Sequence, residues 1–253
     1  MKIYNAEIYT MTDKSGGIIE NGYIEISGKK ITAVKKGIPD KISPEDINAE
    51  KGTVYPGFID AHTHLGIIED GIDFEGDDCN ESSDPFTPQM RAIDGINPFD
   101  RCFSEARKRG ITAVASCPGS ANACGGEIAF IKTDGIFIDD MIIEGIKGMK
   151  FALGENPKRV YNDKDESPVT RMAVSAIIRE GLYKAKRYMN DYDAHLADSD
   201  SLDPPEYDIK CESLVPLLRR RAKAYFHCHR ADDICTAIRI AREFNLKAVI
   251  IHG

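Results

Sequence analysis

The sequence predicts an α/β protein in which a small β unit at the amino end precedes a β/α barrel. Three observations predict it. Residues 2 to 36 read as short β segments separated by turn residues. After that, apolar strand-like runs alternate with helix-like stretches, a pattern that permits a doubly wound sheet or a barrel. Finally, five of the six histidines (His62, His64, His227, His229 and His252) fall at or just beyond the ends of apolar runs. Strand ends on one face of a barrel are where loops converge on a central site, which favours the barrel.

The opening segments are "KIYNAEIYT" and "GGIIENGYIEISGKKITAV", with Asn21-Gly22 and Gly28-Lys29 supplying turn chemistry. They predict a small antiparallel unit, the amino-terminal part of a β-sandwich over residues 1–52. The polar "GIPDKISPEDINAEKG" then leads into the second unit, residues 53–253. Its strands are predicted at "TVYPGFID", "ITAVASC", "GEIAFIKT", "GMKFAL", "AYFH" and "KAVIIH".

Helices lie between them. Val174, Ile178, Leu182, Ala185 and Met189 recur at helical spacing after Arg171. A second helix starts at Ala231, where Asp232 or Asp233 is expected to cap the free amides and Ile234, Ala237, Ile238 and Ala241 form the buried stripe. The acidic "NDYDAHLADSDSLDPPEYD", broken by Pro204-Pro205, is expected to be an exposed loop that carries His195.

A chain of 253 residues, 42% hydrophobic, is long enough to bury a large core. Its net charge of −8, with no basic block longer than Arg219–Arg221, argues against a nucleic-acid surface and for a small-molecule substrate. Seven cysteines, widely spaced and odd in number, give neither a disulfide framework nor paired CxxC units, which predicts a reducing cytoplasm. The amino terminus lacks the continuous apolar core of a secretory signal, and no stretch is long enough to span a bilayer, so no membrane role is expected.

His62 and His64 stand in "VYPGFIDAHTHLG", where a strand gives way to a loop. Imidazoles so placed can share one divalent ion, and a catalytic site leaves one position of that ion for water. His227 and His252, each ending an apolar run, supply further donors.

These residues carry a likeness. "VYPGFIDAHTHLG", "GKKITAV", "AYFHCHRADDICTAIRIAREF" and "KAVIIHG" together resemble the metal-dependent amidohydrolase superfamily, in particular its imidazolonepropionase-like and prolidase-like branches. The resemblance runs along the whole chain. It implies a distorted TIM-like barrel with one or two divalent ions, zinc the leading choice, beside a small β-sandwich. By position, His62 and His64 match the first-strand ligands, His227 the fifth-strand ligand and His252 the sixth-strand histidine, which is also a candidate catalytic group. His229, the competing candidate at strand five, takes a catalytic or substrate-facing role.

The remaining ligand has two candidates in "GMKFALGENPKR". Lys150 would match the carboxylated lysine that bridges two metals, and Glu155 the carboxylate of some mononuclear members. Buried in a strand, Lys150 is costly as a cation but useful as an anionic carbamate. Glu155 suits a loop-borne oxygen ligand equally well. Arg230 is the first candidate for a substrate carboxylate, ahead of Lys158, Arg159 and Arg171. The Gly-rich "CPGSANACGGE" is expected to be a loop at the pocket mouth.

The family's eighth-strand aspartate has no counterpart here, and strands seven and eight are not found. The expectation is therefore an incomplete amidohydrolase: a shortened chain, a proteolytic product or a gene fragment. Self-association follows from that, as a homo-oligomer or with the missing carboxy-terminal segment. Function divides between a C–N hydrolase using metal-activated water and a non-catalytic fragment that binds metal or a partner chain without turnover.

Overall fold

The computed structural model describes residues 1–12 and 17–253. It separates into two units, residues 1–58 and 59–253.

The first unit is a five-stranded sheet. β1 (Lys2–Tyr9) pairs antiparallel with β2 (Ile18–Ser27), and β2 with β3 (Lys30–Lys36). On its other side β1 takes two short parallel partners, β4 (Ile47–Asn48) and β5 (Thr53–Val54). Ala6, Ile8 and Ile24 form its buried centre.

The turn expected at Gly28-Lys29 joins β2 to β3, but Asn21-Gly22 is not a turn. It lies inside β2, where Gly22 pairs with both Ala6 and Lys36. A Cβ there would lie 2.8 Å from Ile19 and Ile8 and 2.9 Å from the Lys35 carbonyl, so glycine serves a close approach between strands. Gly16, at the start of the predicted segment, lies outside the described residues. Thr53 and Val54, read as the start of the barrel, pair with β1, because Pro56-Gly57 interrupts the run before β6 (Phe58–Thr63).

In the second unit, α1 (Arg101–Lys108) leads into β7 (Ile111–Ser116). "GEIAFIKT" is not one strand: it divides at Ile128 into the end of β8 (Cys124–Glu127) and β9 (Ala129–Lys132). The Gly-rich stretch is a loop over residues 117–123, as expected, and its last four residues, with Gly125 and Gly126, form the strand β8. After the short α2 (Ile138–Met141) come β10 (Gly148–Ala152), α3 (Glu155–Asn162), α4 (Arg171–Ala197), α5 (Ile209–Leu218), β11 (Lys223–His227), α6 (Ala231–Glu243) and β12 (Lys247–Ile251).

β10, β11 and β12 are parallel and in step, Ala152 beside His227 and His227 beside Ile251, with β8 antiparallel on the far side of β10. β6, β7 and β9 form a second sheet. The expected barrel wall is thus two separate sheets that do not close among the described residues. The break comes where the chain divides between β8 and β9, which join different sheets.

The larger core lies between β10–β12 and the helices α4, α5 and α6, with Phe151, Ile178, Leu182, Leu214, Phe226 and Ile240 fully enclosed. α4 buries Val174, Ile178, Leu182 and Ala185 as its spacing predicts. It also runs on to Ala197, so the predicted loop begins eight residues late. Nothing in "NDYDAHLA" breaks a helix, and its acidic side chains stay on the solvent side; the prolines that do break it come later. His195 is therefore helical, its Nδ1–H donating to the Leu202 carbonyl at 2.6 Å.

At the start of α6 no side chain caps the helix. Asp232 is held instead by Arg171 (2.5 Å) and Arg230 (3.0 Å), while Asp233 is buried with Oδ2 lacking a hydrogen-bond partner. Ile238 is exposed, and Ile240 takes its expected place in the stripe.

Gly181 marks where α4 meets the loop before β8. A Cβ there would lie 2.0 Å from the Phe86 ring. Gly181→Ala should destabilise the protein by about 1–3 kcal/mol through overpacking, although alanine favours helix. Urea unfolding would check it, with a Phe86→Leu background expected to relieve the loss. No described helix is long and apolar enough to cross a membrane.

Candidate active site

The in-step strands β10, β11 and β12 carry two histidines and a lysine toward the site. His227 ends β11, His252 follows β12, and Lys150 stands in the middle of β10. From the other sheet, β6 delivers His62 at its penultimate position and His64 just past its end.

The rings meet. Centroids of His62 and His252 are 4.6 Å apart, those of His227 and His252 4.8 Å, and those of His62 and His64 5.3 Å. His229 joins them at 4.6 Å from His227 and 5.6 Å from His252. Five of the six imidazoles thus form one continuous group, and only His195 stands apart.

Burial and crowding keep the inner rings uncharged. His227 is pushed down to about 3 and His62 to about 4, first by burial and then by the Lys150 cation and neighbouring imidazoles. His252 is lowered for the same reasons. His64 is lowered by burial, against the opposing effect of the hydrogen bond it donates to the Cys117 carbonyl. At neutral pH each of these rings offers a lone pair.

Lys150 is 1% exposed, and its Nζ donates to the carbonyls of Pro118 (2.9 Å) and Gly119 (3.1 Å). Burial lowers its own pKa as well, against the opposing influence of Cys117 and Cys79. Its competitor Glu155 is different: the side chain is 57% exposed at the first residue of α3, 4.0 Å from His229 Nε2. Arg230 is turned onto Asp232 and lies open to solvent.

The structure therefore gathers His62, His64, His227, His229, His252 and Lys150, places Glu155 at the rim, and ties Arg230 to its own helix. Neutral imidazoles are the donors a borderline divalent ion prefers, so the chemistry of the set fits zinc. The rings are packed against one another, and among the described residues no three His, Cys, Asp or Glu side chains already form a ligand cage. An ammonium at Lys150 would oppose a cation in the same space, so the fit requires that lysine to be uncharged or derivatised.

Two residues that sequence reasoning missed touch these imidazoles. Cys117, just past β7, places its thiol 3.0 Å from His62 Nδ1, and its carbonyl accepts from His64 Nδ1–H at 2.6 Å. Asn156 Nδ2 donates to His227 Nε2 at 3.1 Å and to Ser120 Oγ at 2.7 Å. The strand-end rule that picked out the histidines applies equally to Cys117, which closes "ITAVASC". Asn156 carried no such signal.

No family profile matches the chain. It is similar to the protein named amidohydrolase tasK from Hapsidospora irregularis, 32% identical over an alignment 244 residues long that covers 88% of this chain and 25% of that protein. It is also similar to the crystal structure of an amidohydrolase from Thermotoga maritima MSB8, with a TM-score of 0.89 and 38% identity over all of this chain and 64% of that one. The chain spans about a quarter of the first relative's length and under two thirds of the second's. Sequence and fold agree, and both likenesses support an amidohydrolase family.

Proposed function

We propose that the protein is a metal-dependent hydrolase of a carbon–nitrogen bond in an amide, cyclic amide or dipeptide, built as part of an imidazolonepropionase-like or prolidase-like barrel. The observation that carries this reading is the meeting of uncharged imidazoles from three strand ends, His62–His64, His227 and His252, over one buried lysine. The ring contacts and the two amidohydrolase likenesses support it together.

His62, His64, His227 and His252 would hold one or two divalent ions, zinc foremost. Such an ion lowers the pKa of its water and polarises a carbonyl when bound. Lys150 is the preferred further ligand over Glu155, because a buried amine that loses its proton and then adds carbon dioxide, releasing a second proton, would become a carbamate, an anionic donor in place of an electrostatic liability. His229, 46% exposed and beside Glu155, is placed to carry a proton between site and solvent. Arg230 can meet a substrate carboxylate only by giving up Asp232.

A second reading, an amidohydrolase-fold unit that binds metal or a partner chain without turnover, draws on the lack of a ready-made cage among the described residues. Metal content of the purified chain, together with amine or ammonia release from cyclic amides and dipeptides, separates the two. About one or more equivalents of divalent ion with turnover supports the hydrolase, and metal without turnover the second reading. A metal-free, inactive protein would overturn the hydrolase and leave only the partner-chain form of the second reading.

A further inference from the structure

Cys117 contacts three successive residues of the His-x-His segment. Its N–H donates to the Thr63 carbonyl at 3.0 Å, its own carbonyl faces His64 Nδ1 at 2.6 Å, and its Sγ lies 3.0 Å from His62 Nδ1 and 3.5 Å from the Thr63 carbonyl. It is 1% exposed, so little water competes for these bonds.

The donor and acceptor assignments follow from what each atom can do. A carbonyl only accepts, so His64 carries its proton on Nδ1 and its lone pair on Nε2. The thiol can both donate and accept. The single S–H can donate only once and Thr63 O can only accept, so both sulfur contacts are hydrogen bonds when His62 Nδ1–H donates to Sγ and S–H donates to Thr63 O. His62 then also bears its lone pair on Nε2.

We propose that Cys117 is a positioning residue that fixes the tautomer of both histidines, holding His62 through its thiol and His64 through its carbonyl so that each presents Nε2 as the free donor. Side chain and main chain of one residue thereby prepare a pair of ligands in the same protonation pattern. Partners of this kind orient imidazoles and raise their basicity toward a metal. The value of this for metal binding rests on the proposed function, whereas the tautomers themselves do not.

Nitrogen-15 NMR of the histidine rings in the full, metal-free chain tests the tautomers. Nδ1-protonated His62 and His64 are expected in the unmodified protein. In Cys117→Ala, His62 should lose that signature while His64, held by the main chain, keeps it. Cys117→Ser, which retains a donor and acceptor, should preserve both. His195, also Nδ1-bonded but far along α4, reports whether each variant is folded. In a competition titration with zinc alone, Cys117→Ala should weaken binding by about 10- to 100-fold, with most of it regained in Cys117→Ser.

An Nε2-protonated His62 in the unmodified chain would overturn the proposal without any variant having to fold. So would a folded Cys117→Ala protein whose His62 stays Nδ1-protonated. Should the tautomers behave as stated while the unmodified chain takes up no zinc, the positioning role stands and the metal reading falls.

Discussion

On the proposed hydrolase reading, alanine at His62 is expected to abolish uptake of a divalent ion and to reduce amide hydrolysis below detection. Loss of an outer partner of a ligating histidine costs roughly 10- to 100-fold in metal affinity, so loss of the imidazole itself should exceed about 100-fold. The cause is local. His62 bridges the two sheets' contributions, touching both His64 and His252. Metal analysis after dialysis reads the effect, with circular dichroism to show that the fold persists. His195→Ala, which changes the same residue type outside the cluster, should leave metal and turnover intact. Two further substitutions divide the remaining ligand candidates: Lys150→Ala should lower metal content and Glu155→Ala should not. The reverse result would move the site outward to the rim and undo the case for the buried lysine.

The second large effect concerns stability. Phe151, adjacent to Lys150 in β10, is fully buried and stacks on Phe226 with ring centroids 5.1 Å apart. Truncating it to alanine should cost about 3–5 kcal/mol, combining lost burial with the cavity left between β10 and the helices. The midpoint of urea unfolding measures it. Because successive strand residues face opposite sides, Phe151 serves the core and Lys150 the site. A Phe151→Leu variant should therefore recover much of the stability and keep the metal, which would show that the two faces of one strand are separable.

Much of this was legible from local pattern. The period of α4, the strand ends at His62, His227 and His252, and the turn at Gly28-Lys29 are short-range signals, and the structure shows each of them. What failed depends on contacts between distant segments. Asn21-Gly22 carries a turn signature, yet the approach of Ile8 and Lys35 to Gly22 draws it into a strand. "GEIAFIKT" has the apolarity of a single strand, but its halves pair with β10 and β7 respectively. Asp232 has the sequence position of a helix cap, but Arg171, 61 positions earlier, binds it. At the site the imidazoles are marked by position, whereas Lys150 and Glu155 differ in burial, which no spacing encodes. Cys117 shared the strand-end position of the histidines, but its contacts with His62 and His64 cross more than fifty residues of sequence.

The cysteines have a use of their own. Only Cys235 is exposed; Cys124, Cys211 and Cys228 lie in the core behind β10–β12, Cys79 in the cluster around Phe103, and Cys117 beside His62. Burial raises the Cys79, Cys117, Cys211 and Cys228 thiols to about 11, so each stays unreactive until its surroundings part. The chain thus carries built-in chemical clocks in separate compartments, and the order in which alkylating reagent reaches them maps which region breathes first.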